Sequence, residues 1–100
     1  MELYQKAWEL NEKKAVGPWG PHIVHLAKII EEVGQMMKMC SVAHRKGTTD
    51  GWSEGYFVSE LADLVLQVDF LCKDHGVALE QMRSLGEKRF QERLELKGDW

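Results

Sequence analysis

An all-α fold is expected, on three observations. Apolar residues recur every three or four positions in four segments of this 100-residue chain. Gly- and Pro-bearing turns separate those segments. Alternating runs of β-branched and aromatic residues, the mark of strands, are absent. A four-helix, bundle-like protomer follows, with helices 2 and 3 as a long antiparallel hairpin.

Helix 1 is expected over 2–14, with Leu3, Ala7, Trp8 and Leu10 as its apolar contacts, and Gly17-Pro18-Trp19-Gly20-Pro21 stops it. Helix 2 is expected over 22–45, where Leu26, Ile29, Ile30, Val33, Met36, Met37 and Cys40 follow the helical period and form a core face. A loop from Gly47 to Ser53 comes next, and Ser53 is placed to cap helix 3. Helix 3 is expected over 54–75, with Phe57, Leu61, Leu64, Val65, Val68 and Cys72 inward and Gly76 as a left-handed cap. Helix 4 is expected over 78–96, with Leu79, Met82, Leu85 and Phe90 inward.

The length gives one domain, 1–100, with a modest core. The net charge of −3 provides no basic footprint, so a nucleic-acid polymer is not an expected partner. Neither a membrane-length apolar run nor a secretory leader is visible. Cys40 and Cys72 lie in apolar helical runs and read as reduced core thiols of a cytoplasmic protein.

Two acidic clusters interrupt this pattern. The first is Glu31-Glu32-Val33-Gly34-Gln35 and the second is Glu60-Leu61-Ala62-Asp63. Helical spacing puts Glu32 and Gln35 on one face, and Glu60 and Asp63 on one face of the next helix. An antiparallel hairpin sets the two pairs side by side. One Glu-x-x-Asp is ordinarily a solvated helix surface. Four oxygen donors converging from two helices suit a hard cation, Mg²⁺ or alternatively Mn²⁺. Gly34 is expected to let helices 2 and 3 approach closely.

In order, setting and separation, these motifs resemble the all-α nucleoside triphosphate pyrophosphohydrolases, the MazG-like superfamily that includes dimeric dUTPases, dCTP pyrophosphatases and phosphoribosyl-ATP pyrophosphohydrolases. The resemblance covers 22–92 and includes Ser59-Glu60-Leu61-Ala62-Asp63-Leu64-Val65-Leu66, Asp74-His75-Gly76-Val77 and Lys88-Arg89-Phe90. It implies metal ligation by Glu32, Gln35, Glu60 and Asp63, with catalytic roles for Glu32 and for Glu31, which would orient a water. The implied reaction converts a (d)NTP to (d)NMP and pyrophosphate. The chain departs from the family at two positions: Gln35 stands where a Glu is usual, and Gly86 where many relatives carry Asn. The first exchange removes a charged donor.

Candidate substrate contacts are Lys28, on the stripe of Glu32; Trp19, able to stack on a base; Lys73; and, through the resemblance, Arg89. His22 and His25 read as helix-surface residues or weak contacts to phosphate, because no cysteine or third histidine stands at a matching spacing. Trp52 reads as a lid, Trp8 as core and Trp100 as exposed or at a subunit contact. The apolar faces of helices 2 and 3 exceed what helices 1 and 4 cover, so a homodimer or homotetramer with the nucleotide site near a subunit interface is expected. The alternative is a non-catalytic helical oligomerisation or nucleotide-binding relative of the same family.

Overall fold

A computed structural model describes residues 2–47 and 52–98. Among the described residues there are four α-helices and no strand: α1 (Glu2–Glu12), α2 (Gly20–Lys46), α3 (Glu54–Asp74) and α4 (Leu79–Lys97). All four expected helices are present, with ends displaced by one or two residues. The middle of the 47–53 loop and Trp100 lie outside the described residues.

Local chemistry sets these ends. Pro21 lies in the first turn of α2, where its missing N–H costs nothing. A Cβ on Gly20 would sit 2.9 Å from the Ala15 carbonyl carbon, so the turn between α1 and α2 closes only around a glycine. Ser53 caps α3 as expected, its hydroxyl accepting from the Tyr56 N–H at 3.1 Å. At the other end of α3, the Val77 N–H reaches the Cys72 carbonyl and the Gly76 N–H reaches that of Lys73, each at 3.0 Å, with Gly76 at φ 66°. The Ala78 N–H donates to the Gln81 side chain at 2.7 Å and opens α4.

Helices α2 and α3 form the antiparallel pair. His25 near the start of α2 meets Gln67 late in α3, whereas Gln35 further along α2 meets Tyr56 and Glu60 early in α3. Helix α1 lies across the open end of this pair, with the Tyr4 ring 5.4 Å from Phe70 and Trp8 Nε1 donating to Asp74 Oδ1 at 3.0 Å. Helix α4 packs only lightly on α3. The radius of gyration is 16.9 Å, against about 13 Å for a compact chain of this length. Four helices are therefore present, but they do not close into a bundle.

The largest departure from expectation concerns the face of α2 that meets α3. Leu26, Ile30, Val33 and Met37, expected in the core, are exposed; Ile30 is 72 % and Met37 59 % accessible. Cys40 is exposed as well. Instead the inward side of α2 carries His25, Glu32, Gln35 and Met36. On α3, Leu61 and Val65 are exposed while Glu60, Phe70 and Cys72 are buried. Leu85 and Phe90 of α4, Leu3 and Leu10 of α1 also keep much of their surface in solvent. At the α2–α3 seam His25 and Gln35 find hydrogen-bonding partners on the facing helix, as buried polar groups require. Helix α2 thus turns its polar stripe inward and its apolar stripe outward. Gly34 faces open space and does not mediate the α2–α3 approach. No described helix is long and apolar enough to cross a membrane.

Candidate metal centre

The seam brings the two acidic motifs together. Ligand oxygens of Glu32, Glu60 and Asp63 all lie within 4.8 Å of one another. Glu60 is buried at 9 % accessibility, Glu32 is half-buried and Asp63 is exposed, so the cluster opens to solvent on one side. Gln35 completes the group: with its amide nitrogen turned towards α3, it donates to both carboxylate oxygens of Glu60. All four residues of the expected quartet therefore share one place.

Three carboxylates this close repel one another unless a proton or a cation intervenes. The Glu32 carboxyl is pushed up from 4.5 to about 7, chiefly by its hydrogen bond with Glu60, then by burial and by the charges of Glu60, Asp63 and Glu31. One Glu32 oxygen, Oε2, is buried without a hydrogen-bond partner. Oxygen donors held together at such a cost fit a hard divalent cation, which takes Asp, Glu and Gln oxygens and would relieve the repulsion. The Tyr56 hydroxyl stands beside the cluster, and its ionisation is pushed up by desolvation and then by Glu60.

An open groove of about 620 Å³ adjoins Gln35, lined also by Lys38, Met39, Val42, Ser53 and Tyr56. Its size matches small-molecule sites. No sequence motif marks Lys38 or Tyr56. Lys38 does stand one turn beyond Gln35 on α2, a spacing that could have identified it as a neighbour.

The other expected residues lie elsewhere. Glu31 is exposed and pairs with Lys28 at 3.4 Å. Trp19 is 69 % exposed at the α2 N-terminus and meets the His22 ring edge-on at 5.5 Å. The Lys73 ammonium lies over the Trp8 and Tyr4 rings, at 5.0 and 5.8 Å from their centroids, and is ten residues beyond Asp63, about 15 Å along α3. Arg89 is on the exposed surface of α4. Trp52 packs on Phe57 with ring centroids 5.1 Å apart, as a lid would.

Of the two N-terminal histidines of α2, His25 is the main correction. His25 is fully buried, not on the helix surface, and reaches Glu12, Gln67 and Asp74. His22 meets His75, with their Nε2 atoms 2.9 Å apart. Neither partnership is local in sequence, and none of the spacings announces it.

No protein-family model matches the chain, and neither a curated protein nor a solved structure matches it.

Proposed function

We propose that the protein is a Mg²⁺-dependent nucleotide pyrophosphohydrolase that cleaves a (d)NTP to (d)NMP and pyrophosphate. The observation that carries this reading is the convergence of Glu32, Glu60 and Asp63, with Gln35 on Glu60, from two separate sequence motifs. Bound there, Mg²⁺ would neutralise charge developing on the phosphates and acidify an attacking water. Glu32, Glu60 and Asp63 would hold the cation, and Gln35, beside Glu60, could offer its carbonyl oxygen as a fourth donor. Glu31, whose charge reaches the Glu32 carboxyl, would orient the water. Water attacks the α-phosphorus, the bond from that phosphorus to the bridging oxygen breaks, and pyrophosphate leaves with that oxygen. Lys38 and Tyr56 line the adjoining groove, where the nucleotide would lie. Incubating the protein with each (d)NTP and Mg²⁺ or Mn²⁺ tests this. Release of pyrophosphate and a monophosphate is expected; orthophosphate and a diphosphate, or no product from any nucleotide, would overturn it.

Gln35 favours a second reading, a weakened or non-catalytic relative, because its amide stands in for a charged ligand. Gln35→Glu restores that charge. A cation site should then bind Mg²⁺ at least about tenfold more tightly. Calorimetry checks this, and unchanged affinity with lower stability would remove position 35 from the site.

Assembly belongs to the same proposal. The protomer exposes 7707 Å², against about 5800 Å² for a folded monomer of this mass. The excess, about 1900 Å², is what one protomer contributes to a large homodimer interface. Ile23, Leu26, Ile30, Val33 and Met37 form a continuous exposed stripe on α2, and Gly34 opens a notch within it. A second copy is the occupant we infer. Light scattering at micromolar concentration should give a dimer or tetramer, and Ile30→Lys should shift it towards monomer. A wild-type monomer with cooperative unfolding would contradict this.

A further inference from the structure

We propose that Glu12, His25 and Asp74 form a second divalent-cation site, suited to a borderline transition metal such as Zn²⁺, that pins α1 onto the α2–α3 pair. The three donors come from three different helices, and their ligand atoms lie within 4.8 Å of one another. His25 Nε2 is 3.1 Å from Glu12 Oε1 and 3.2 Å from Asp74 Oδ2. A zinc ion with bonds near 2.0–2.1 Å separates adjacent ligands by about 3.0 Å in octahedral geometry and about 3.4 Å in tetrahedral geometry. The observed spacings fall between these, so little movement is needed for a cation to enter.

The cluster is enclosed, unlike an ordinary surface acidic patch. His25 is fully buried, and the side chains of Glu12 and Asp74 are 22 % and 12 % accessible. A single Nε2–H cannot serve both carboxylates. Nε2 lies against Glu12 Oε1, and Asp74 Oδ2 is left buried without a hydrogen bond. A cation in place of that proton would be reached by all three donors.

An outer layer holds two of the three ligands in position, as metal sites require. His25 Nδ1 donates to the Gln67 carbonyl oxygen at 3.1 Å, which leaves Nε2 as the metal-facing nitrogen. Gln67 in turn donates to Asn11 Oδ1 at 3.3 Å, and Asn11 donates to the Ala7 carbonyl at 2.8 Å. Asp74 Oδ1 accepts from Trp8 Nε1, which fixes the carboxylate so that Oδ2 faces the histidine. Imidazole nitrogen with carboxylate oxygens suits Zn²⁺ better than Mg²⁺. Three protein donors leave a tetrahedral ion one position for water. His25 and Glu32 are two turns apart on α2, about 10 Å, so the two centres are separate. Because α1 buries no residue of its own, a cation shared between Glu12 and the other two ligands would add most to its attachment.

The test is Zn²⁺ titration by calorimetry in excess Mg²⁺, which fills the acidic quartet, with melting curves on the same samples. Wild type should bind one Zn²⁺ per chain with micromolar or tighter affinity, and Tm should rise by about 5 °C or more. Glu12→Gln and Asp74→Asn should each weaken binding at least about tenfold. Glu12 is partly exposed, so Glu12→Gln retains the fold even if Asp74→Asn does not. Glu60→Gln and His22→Gln should leave Zn²⁺ affinity unchanged, which separates this site from the acidic quartet and from the His22–His75 pair. Absence of Zn²⁺ binding in wild type, or binding that survives both Glu12→Gln and Asp74→Asn, would overturn the proposal. Inactivity towards nucleotides would not bear on it.

Discussion

Glu60→Gln is expected to lower nucleotide turnover by at least about 10²–10³-fold while raising the stability of the metal-free protein. The loss of turnover follows from removing the most buried of the three clustered carboxylates. A ligand whose charge helps hold a catalytic cation contributes about 3–4 kcal/mol to the transition state when removed at that fold-change. The gain in stability has a separate origin. The unfolded chain gives up the Glu32 proton near pH 4.5 and the native state only near 7. Across that interval the native state binds more protons, so stability falls as pH rises through it. The substitution at Glu60 removes the charge that holds this proton and supplies an amide that can donate to Glu32. At pH 8 without Mg²⁺ the variant should therefore be more stable by about 1–3 kcal/mol, and the decline in wild-type stability between pH 4.5 and 7 should flatten. Asp63→Asn should follow in the same direction, with a smaller stability gain because Asp63 is exposed. Urea unfolding at pH 5 and pH 8, with and without Mg²⁺, checks the stability. Turnover within tenfold of wild type in both variants would contradict the site.

His25→Ala is expected to cost about 3–5 kcal/mol, the penalty for emptying a fully buried ring position and leaving its hydrogen-bonding partners unpaired. His25 is the only described group that links Glu12, Asp74 and Gln67 at once. Without it, two partly buried carboxylates face each other and the Gln67 oxygen loses its donor. The fully buried Phe70 also loses the ring packed 5.5 Å from its centroid. Against a total stability of about 5–15 kcal/mol, such a change removes much of what a small core supplies. Cys72 beside this region should remain unreactive, because burial and then Asp69 push its thiol up. Chemical denaturation of the metal-free protein measures the loss, and a change below about 1 kcal/mol would show that α1 is attached by other means.

Much of the architecture is legible in the chain because the helical period is strong and the punctuation is chemical. Gly17-Pro18, Ser53 and Gly76 each fix a boundary through a requirement that few other residues meet. The acidic quartet is legible from spacing alone, since Glu32 with Gln35 and Glu60 with Asp63 are one turn apart on helices that have to pair.

The orientation of α2 is not legible, for a physical reason. It carries two stripes, one through Leu26, Ile30, Val33 and Met37 and one through His25, Glu32 and Met36. The rule that apolar residues turn inward selects the first. In the folded chain, Glu60, Gln67 and Asp74 on α3 offer hydrogen-bonding and charged partners only to the second, and the first stays exposed. His25 escapes a reading of the sequence because its partners stand 13 and 42 residues away, beyond any local pattern. Phe70 escapes it too, because it lies off the main apolar stripe of α3 and is covered by Tyr4 of α1. The groove at Lys38 and Tyr56 exists only once α2 and α3 are docked.

Mg²⁺ titration by calorimetry into wild type and Glu60→Gln at pH 8, above the interval in which Glu32 holds its proton, tests the central claim most directly. Wild type should bind Mg²⁺ at one or more sites, and Glu60→Gln should lose that binding while remaining folded. No Mg²⁺ binding by wild type, or equal binding by both proteins, would show that the carboxylates of Glu32, Glu60 and Asp63 meet for some purpose other than holding a catalytic cation.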